Sequence, residues 1–374
     1  MEVVQLLLTE GSDPFLQDQN GWYVTLDHVL IQIWLTKCNR TPTDTVLQLA
    51  FTKGNEHGTA FNQFLRALDS NIFETLQLST LHKIVLGLVN LDIEKQLNAS
   101  TSEINLQDSG GQTPLFWAAN RGDVSTVRTL LEYGAKPDLR NMLGKTALHW
   151  AIESPTSECT KLLLEYGAPP NARSVFGTTA LFYAVWTHDD PANHIEDLLE
   201  YNADVNVKND KGLTPLHYAA FKDVIAPVAI LIDRGASLEE CDNNGITPLM
   251  LAIQNNLTAV TSYLLGQGSN RLVVNNNNET ILHVAAAKGS PEMFSALERF
   301  DLHEIDIEMR NSARLTPRDI ISQRVDGSPK LVEAFEQLLP NVQSSQTSET
   351  DSQDGRPFFD ALEYHDIPSE VIPL

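Results

Sequence analysis

A unit of about 33 residues recurs along most of this chain, and this period constrains the fold more than any other feature of the sequence. A leucine that holds the same place in each copy is found at Leu81, Leu115, Leu148, Leu181, Leu216, Leu249 and Leu282. The intervals between these leucines are 34, 33, 33, 35, 33 and 33 residues. Because one such unit cannot bury its own apolar face, the period predicts units that stack on their neighbours instead of one globular core.

Each copy opens with a short motif that predicts the start of a helix. The segments TPLFWA at 113–118 and TPLHYA at 214–219 are representative. The threonine is a preferred N-cap residue, whose hydroxyl accepts a hydrogen bond from a backbone N–H of the first turn. The proline needs no N–H at the first helical position. The leucine and the alanines then lie on one apolar face at helical spacing.

A second helix is predicted in each copy from a Leu-Leu pair such as Leu130-Leu131, which a glycine follows within a few residues. Glycine adopts the left-handed conformation that ends many helices. One copy carries Asn202 at this place, and asparagine is the usual substitute for glycine in that conformation. Asp or Asn followed by Gly at the start of the next copy is typical of a tight turn. The glycines in the helix-ending position are Gly134, Gly167, Gly235 and Gly268.

The period and the motif resemble the ankyrin repeat, whose signature is Thr-Pro-Leu-His-x-Ala. The resemblance covers roughly residues 73–339. It implies an all-α repeat solenoid, in which helix-turn-helix repeats stack and β-hairpin turns project from the stack. The function expected from the family is recognition of other proteins, without catalysis.

Three regions are predicted from the distribution of the motif. Residues 1–72 read as partial or degenerate repeats and a helical N-terminal cap, residues 73–340 as an array of about seven repeats, and residues 341–374 as an acidic disordered tail. Within the tail lies an aromatic patch, Phe358–Tyr364. One hypothesis is that it docks either on the array or on a partner, and the alternative is that it remains free. Met1–Pro14 resembles an isolated second helix, so a longer parent protein remains an alternative.

The composition excludes several classes of function. The formal net charge is −23, and its regional values are −6 for residues 1–107, −11 for 108–340 and −6 for 341–374. No segment is therefore basic enough to attract nucleic acid or an anionic membrane. The three cysteines are too few for a disulfide framework. No secretory signal or membrane span is recognisable, so we expect the chain in the cytoplasm or nucleus. We also expect it to be a monomer.

Two groups of residues invite a chemical interpretation. Gly144-Lys145-Thr146 looks like the end of a phosphate-binding loop, but Leu139 stands where that loop requires glycine. His188 to His194 contain two imidazoles and two carboxylates in the longest copy, which could bind zinc, although a solvated insert is the favoured reading. Four histidines share one phase and are expected to be structural hydrogen-bonding groups between repeats: His82, His149, His217 and His283. No cofactor, metal or catalytic residue is therefore predicted.

One aromatic side chain per repeat occurs at a common phase, at Trp117, Trp150, Tyr183 and Tyr218. Large rings at one phase are expected to pack helix on helix. A partly exposed binding stripe is the alternative interpretation.

The predicted function is a non-enzymatic protein-interaction module or scaffold that uses the concave face of the solenoid, with partners of unknown identity. The alternative is the C-terminal recognition domain of a larger signalling ATPase or another multidomain protein. In the ankyrin family, partner contacts come from the hairpin tips and the exposed side of the first helices. The positions in matching phase are Met142, Leu143, Lys145, Val175, Phe176, Trp186, Asp210, Lys211, Leu213, Phe221, Asn243, Asn244 and Ile246.

Overall fold

The computed structural model describes residues 77–154, 156–187, 192–300, 302, 304–324 and 329–339. These residues form helices and turns, and none of them is in a β-strand. The predicted N-terminal cap at residues 1–72 and the tail at 341–374 lie outside the described residues.

The described helices fall into two compact units. The first unit takes the described residues up to Ala219 together with Ala226–Ala236, and the second takes Ala220–Ile225 and the described residues from Ser237 onward. The helices up to the end of the first unit are α1 (Thr80–Val85), α2 (Ile93–Ala99), α3 (Pro114–Asn120), α4 (Val124–Glu132), α5 (Ala147–Ala151), α6 (Glu158–Glu165), α7 (Ala180–Thr187), α8 (Ala192–Glu200), α9 (Pro215–Ala219) and α10 (Ile225–Asp233). Those of the second unit are α11 (Pro248–Gln254), α12 (Thr258–Gly266), α13 (Ile281–Lys288), α14 (Pro291–Leu297), α15 (Pro317–Gln323) and α16 (Pro329–Leu338).

The first helix of each copy begins at the threonine motif, as predicted. In α11 the Thr247 hydroxyl accepts a hydrogen bond from the backbone N–H of Met250 over 3.2 Å, and Pro248 is the first helical residue. In α15 the Thr316 hydroxyl accepts from Asp319 N in the same way. These caps satisfy backbone donors that no intrahelical carbonyl can reach.

The second helices end where the glycines predict. The backbone φ angle is +91° at Gly134, +84° at Gly167, +88° at Gly235 and +89° at Gly268. Asn202 takes the same left-handed conformation at +63°. The expectation that asparagine replaces glycine here is therefore confirmed.

Helices of like position pack on one another within each unit. In the first unit α3 packs on α5 and α7 on α9, while α4 packs on α6 and α6 on α8. In the second unit α11, α13 and α15 pack in succession, and so do α12, α14 and α16. The motif leucines are buried in this packing at every copy from Leu81 to Leu282. The fold is the all-α repeat solenoid predicted from the sequence.

Candidate protein-binding surface

The turn that precedes each first helix is built on one polar side chain. Asn141 Oδ1 accepts hydrogen bonds from the backbone N–H groups of Leu143 and Lys145, each over 3.0 Å. The backbone of Asn141 also donates to the Lys145 carbonyl over 2.9 Å, and Gly144 has a φ of +70°. The corresponding acceptors in the other described copies are Asp108, Ser174, Asn209, Asp242, Asn275 and Asn311. Side chain and backbone together therefore hold each hairpin in one conformation.

Neighbouring hairpins of the first unit are joined by backbone hydrogen bonds. Met142 N donates to the Gly110 carbonyl over 3.1 Å, and Val175 N donates to the Leu143 carbonyl over 2.9 Å. Asp210 N donates to the Phe176 carbonyl over 3.1 Å. In the second unit Asn276 N donates to the Asn244 carbonyl over 3.0 Å. The tips of adjacent copies are thus fixed side by side.

Two adjacent tips of the first unit expose apolar side chains. Met142 is 66% exposed and Val175 is 52% exposed, while Leu143 and Phe176 are half-buried beside them. Because Val175 N bonds to the Leu143 carbonyl, these four residues form one contiguous surface. We name Met142, Leu143, Val175 and Phe176 the apolar tip patch.

Other predicted contact residues are also accessible. Asp210 and Lys211 are exposed on the next hairpin of the first unit, and Asp210 forms a 3.3 Å ion pair with Arg173. In the second unit Asn243 and Asn244 are exposed at a hairpin tip, and Phe221 is half-buried. Their accessibility permits a binding role.

Lys145, Leu213 and Ile246 were expected at the exposed tips, but the structure buries all three. Each follows the hairpin glycine directly, and this position is buried in six described copies, at Gln112, Lys145, Thr178, Leu213, Ile246 and Glu279. The hairpin hydrogen bonds turn this position inward. The Lys145 ammonium nitrogen lies 4.5 Å from the Tyr183 ring centroid and 5.3 Å from that of Trp150. The expected exposure of these three residues is therefore wrong.

Trp186 is likewise buried, contrary to its expected place on an exposed helix side. Its ring meets Tyr218 edge to face, with centroids 6.3 Å apart. The aromatic positions behave in the same way, since Trp150, Tyr183 and Tyr218 are buried and only Trp117 is half-buried. These positions serve packing between repeats more than an exposed stripe.

Two motif histidines, His82 and His283, make the hydrogen bonds between repeats that were expected of them, whereas His149 Nε2 is buried without a hydrogen-bond partner among the described residues. In His82 the Nδ1 atom accepts from Ser79 N over 3.2 Å, and Nε2 donates to the Gln112 carbonyl of the next copy over 3.0 Å. His283 links Thr280 to the Leu315 carbonyl similarly. Burial lowers the pKa of His82 and of His283, and burial with the nearby Lys145 charge lowers the pKa of His149 to about 3. These imidazoles are neutral near pH 7.

The insert that raised the possibility of zinc is described only at its end. His188, Asp189 and Asp190 lie outside the described residues. His194 is buried, with Nε2 3.0 Å from the Ser154 carbonyl and Nδ1 3.0 Å from the Thr160 hydroxyl. Within the ranges that the structure describes, no three His, Cys, Asp or Glu side chains are grouped as metal ligands, and no helix is long and apolar enough to cross a bilayer.

A basic row beside the tips was not anticipated from the sequence. Arg140 Nη1 donates to the Arg173 carbonyl over 2.8 Å, and Arg173 Nη1 donates to the Lys208 carbonyl over 2.8 Å. All three side chains are exposed. The signal was available, because the intervals of 33 and 35 residues between them equal the local repeat lengths.

Comparison with known proteins places the chain among repeat proteins of one kind. The family model described as "Ankyrin repeats (3 copies)" matches residues 81–174, 138–209, 156–238, 181–273 and 228–311. The solved ankyrin repeat domain of Bcl-3, described as a unique member of the IkappaB protein family, is 26% identical with a TM-score of 0.52, and the match covers 61% of this chain and 100% of that one. The human ASB11 ankyrin repeat domain is 24% identical with a TM-score of 0.53, covering 61% of this chain and 99% of that one, which is a likeness of fold alone.

Proposed function

The chain belongs to the ankyrin-repeat family, and on that premise we propose that it is a non-enzymatic protein-interaction module whose binding surface is the apolar tip patch. Ankyrin repeats are generally protein–protein interaction modules. The observation that carries the choice of surface is the exposure of Met142 and Val175 on adjacent hairpins that a backbone hydrogen bond joins.

The other hairpins of the chain show that the fold does not require apolar residues at these tips. The same two positions are occupied by Asp210-Lys211, Asn243-Asn244 and Asn276-Asn277, and each of these hairpins keeps its side-chain-anchored turn. Polar residues are therefore sufficient for the turn. An exposed apolar patch without a folding role is typical of an interaction site.

The rigidity of the patch supports binding without reorganisation. Asn141 and Ser174 hold the two turns through four hydrogen bonds to backbone N–H groups. Since these bonds exist before a partner arrives, association does not have to order the loop, and the entropy cost of binding is reduced. Asp210 and Lys211 at the rim are expected to influence the association rate and its salt dependence.

Site-specific photocrosslinking tests the surface. A benzophenone amino acid at position 142 or 175 of the full chain is irradiated in cell extract, and position 276 or 312, exposed at the same hairpin phase of the second unit, serves as the control. We expect one protein to be captured from both 142 and 175 and not from the controls. Equal capture from all four positions would place the binding surface elsewhere.

Substitution provides the energetic measurement with the captured partner. Phe176→Ala is expected to weaken binding by roughly 1–3 kcal/mol, because few central anchors dominate most interfaces. Met142→Ser with Val175→Ser is expected to weaken binding while leaving the melting temperature unchanged, since both side chains are exposed. Asn243→Ser with Asn276→Ser is the matched control in the second unit. A double variant at 142 and 175 that retains full affinity would contradict the proposal.

A further inference from the structure

Three successive hairpin segments of the first unit together contain more basic than acidic residues, although the chain is strongly acidic and the preceding segment 103–112 contains two acidic residues and no basic one. Residues 136–145, 169–178 and 204–213 contain six Lys or Arg and three Asp, in a chain whose formal net charge is −23. We name the exposed members of this set the basic hairpin edge: Lys136, Arg140, Arg173, Lys208 and Lys211.

The edge is local and does not follow from the repeat. In the second unit the corresponding segments 237–246, 270–279 and 306–315 contain three basic and six acidic residues. The place of Arg140 and Arg173 is taken there by Cys241 and Val274, and by Arg310 in the last segment, where the guanidinium binds the Arg314 carbonyl of its own hairpin. The repeat architecture therefore tolerates either charge, and the row that joins one hairpin to the next is a property of three hairpins of the first unit.

The row is held beside the apolar tip patch. The Arg140 guanidinium is bound to the Arg173 carbonyl and the Arg173 guanidinium to the Lys208 carbonyl, each over 2.8 Å. Arg140 is two residues from Met142, and Arg173 is two residues from Val175. A ligand that lies along the edge would meet a cation and an apolar side chain in each of two successive hairpins. The complementary ligand is a peptide that alternates carboxylates with large apolar residues.

Outside the described residues, two long stretches are acidic, contain aromatic residues and lack Lys and Arg, namely residues 10–27 and 357–374. Of these two, only residues 357–374 have every carboxylate next to a large apolar residue, as the complementary ligand requires. Residues 357–374 carry four Asp or Glu and no Lys or Arg, and they include Phe358, Phe359 and Tyr364. Asp360 and Glu363 lie next to Phe359 and Tyr364. Because the segment is covalently attached, its effective concentration at a site that it can reach is on the order of millimolar.

We propose that the basic hairpin edge binds this acidic C-terminal segment of the same chain, so that the segment competes with an external protein for the apolar tip patch. The competition rests on the proposed function, because the edge and the patch occupy the same hairpins. The contact of the segment with the edge is independent of any partner. Attraction between opposite charges and burial of Phe358 and Phe359 on the patch would both favour it.

Zero-length carbodiimide crosslinking of the full chain tests the contact. The reagent joins a lysine to a carboxylate only where they touch, and mass spectrometry then identifies the pairs. We expect crosslinks from residues 357–374 to Lys136, Lys208 or Lys211 at about tenfold the yield seen at Lys95 and Lys161, which are exposed elsewhere in the first unit. Equal yields at the two sets, or no crosslink to the edge, would overturn the proposal.

Dilution and salt distinguish the possible occupants. An intramolecular contact gives a yield that does not change with protein concentration, so a yield that falls on dilution would identify a second copy as the occupant and contradict the proposal. Because the contact is electrostatic and exposed, the yield is expected to fall severalfold between 50 and 500 mM salt, where the Debye length shortens from about 14 to about 4 Å.

Charge reversal completes the test with a matched pair of variants. Arg140→Glu with Arg173→Glu is expected to lower the crosslink yield at the three lysines of the edge, whereas Arg128→Glu with Arg234→Glu, an equal change at exposed residues elsewhere, leaves it unchanged. Circular dichroism checks that each variant folds. If a variant does not fold, the salt series on the wild-type chain still tests the contact. Photocrosslinking at positions 142 and 175 measures partner binding at the patch separately. A wild-type chain that captures a partner there but forms no crosslink between residues 357–374 and the edge would overturn this inference and leave the proposed function standing.

Discussion

The backbone N–H of Thr146 donates a hydrogen bond to His149 Nδ1 over 3.0 Å, and the threonine hydroxyl lies 3.1 Å from the same nitrogen. The imidazole nitrogen thus closes the first turn of α5 on its own N-cap residue. In two copies phenylalanine replaces the histidine, and the hydroxyls of Thr113 and Thr179 are there buried without a hydrogen-bond partner among the described residues. The contact between an N-cap hydroxyl and a histidine Nδ1, as in Thr146 and His149, also occurs at Ser79 with His82, Thr214 with His217 and Thr280 with His283.

This difference predicts unequal effects of one substitution. Thr146→Val removes a hydroxyl that is bonded, so the free energy of unfolding is expected to fall by about 1–2 kcal/mol. Thr113→Val removes a hydroxyl that is equally buried and unpaired, so the change is expected to stay within about 0.5 kcal/mol. Urea denaturation of the two variants measures the difference. Equal losses would show that the hydroxyl of Thr146 contributes nothing beyond its volume.

The buried histidines predict a loss of stability in mild acid. The His149 pKa is about 3 in the fold and about 6.5 in the unfolded chain, so below pH 6.5 only the unfolded chain takes up the proton. The stabilisation is complete above pH 6.5 and is lost progressively as the pH falls toward 3. When the pH falls from 7 to 5, His149 alone is expected to lower the free energy of unfolding by about 2 kcal/mol.

Denaturation at pH 7, 6 and 5 measures this slope, and His149→Phe provides the comparison. The chain itself accommodates phenylalanine at this phase, at Phe116 and Phe182. We expect the variant to lose less stability than the wild type as the pH falls, because one proton-linked group has been removed. An unchanged slope would mean that His149 is not the source.

Most of the fold could be predicted because one local pattern is repeated. Thr-Pro pairs begin helices at Pro114, Pro215 and Pro248, and the residue after the second helix is left-handed even where Asn202 replaces glycine. These features depend on residues close in the sequence. The division into two compact units was not predicted, because the motif continues through Ala219 and Ser237 without interruption.

The candidate site could be predicted only in part. Turn chemistry located the tips, and Met142 and Val175 are exposed there as expected. It gave no information on the position after the hairpin glycine, where Lys145 and Leu213 are buried alike. Polarity alone indicates exposure for a lysine, but the ring of Tyr183 from the next copy, together with that of Trp150, accepts its ammonium group. That environment is a tertiary contact, which the local sequence does not contain.

The close approach of the hairpins predicts a difference between two glycines. Both Gly111 and Gly134 have positive φ angles, of +79° and +91°. A Cβ atom at Gly111 would lie 2.9 Å from the backbone nitrogen of Met142, whereas at Gly134 it would meet nothing within 4 Å. Gly134→Ala is therefore expected to cost about 1 kcal/mol from backbone strain, and Gly111→Ala distinctly more. Equal costs in thermal or urea denaturation would contradict the rigid juxtaposition of the tips.

Burial predicts that two lysines assigned to the same surface by the sequence behave differently. The Lys145 side chain is 2% exposed, with its ammonium over the rings of Tyr183 and Trp150, while Lys211 is exposed. Lys145→Ala removes the buried methylene stem and the cation–π contacts, so the free energy of unfolding is expected to fall by about 2–3 kcal/mol. Lys211→Ala, which changes the charge equally, is expected to stay within about 0.5 kcal/mol.

For partner binding we expect the opposite order of effects, with the substitution of Lys211 having the larger effect and that of Lys145 the smaller. Lys211→Ala is expected to make the rate of partner association less dependent on salt concentration, because it removes a charge at the rim of the patch. Lys145→Ala is expected to leave binding unchanged under conditions in which the variant remains folded, since a buried ammonium cannot reach a partner at the tips. Denaturation and binding at two salt concentrations separate the two roles. A Lys145→Ala protein that is fully stable but has lost its partner would return Lys145 to the binding surface and refute its structural role.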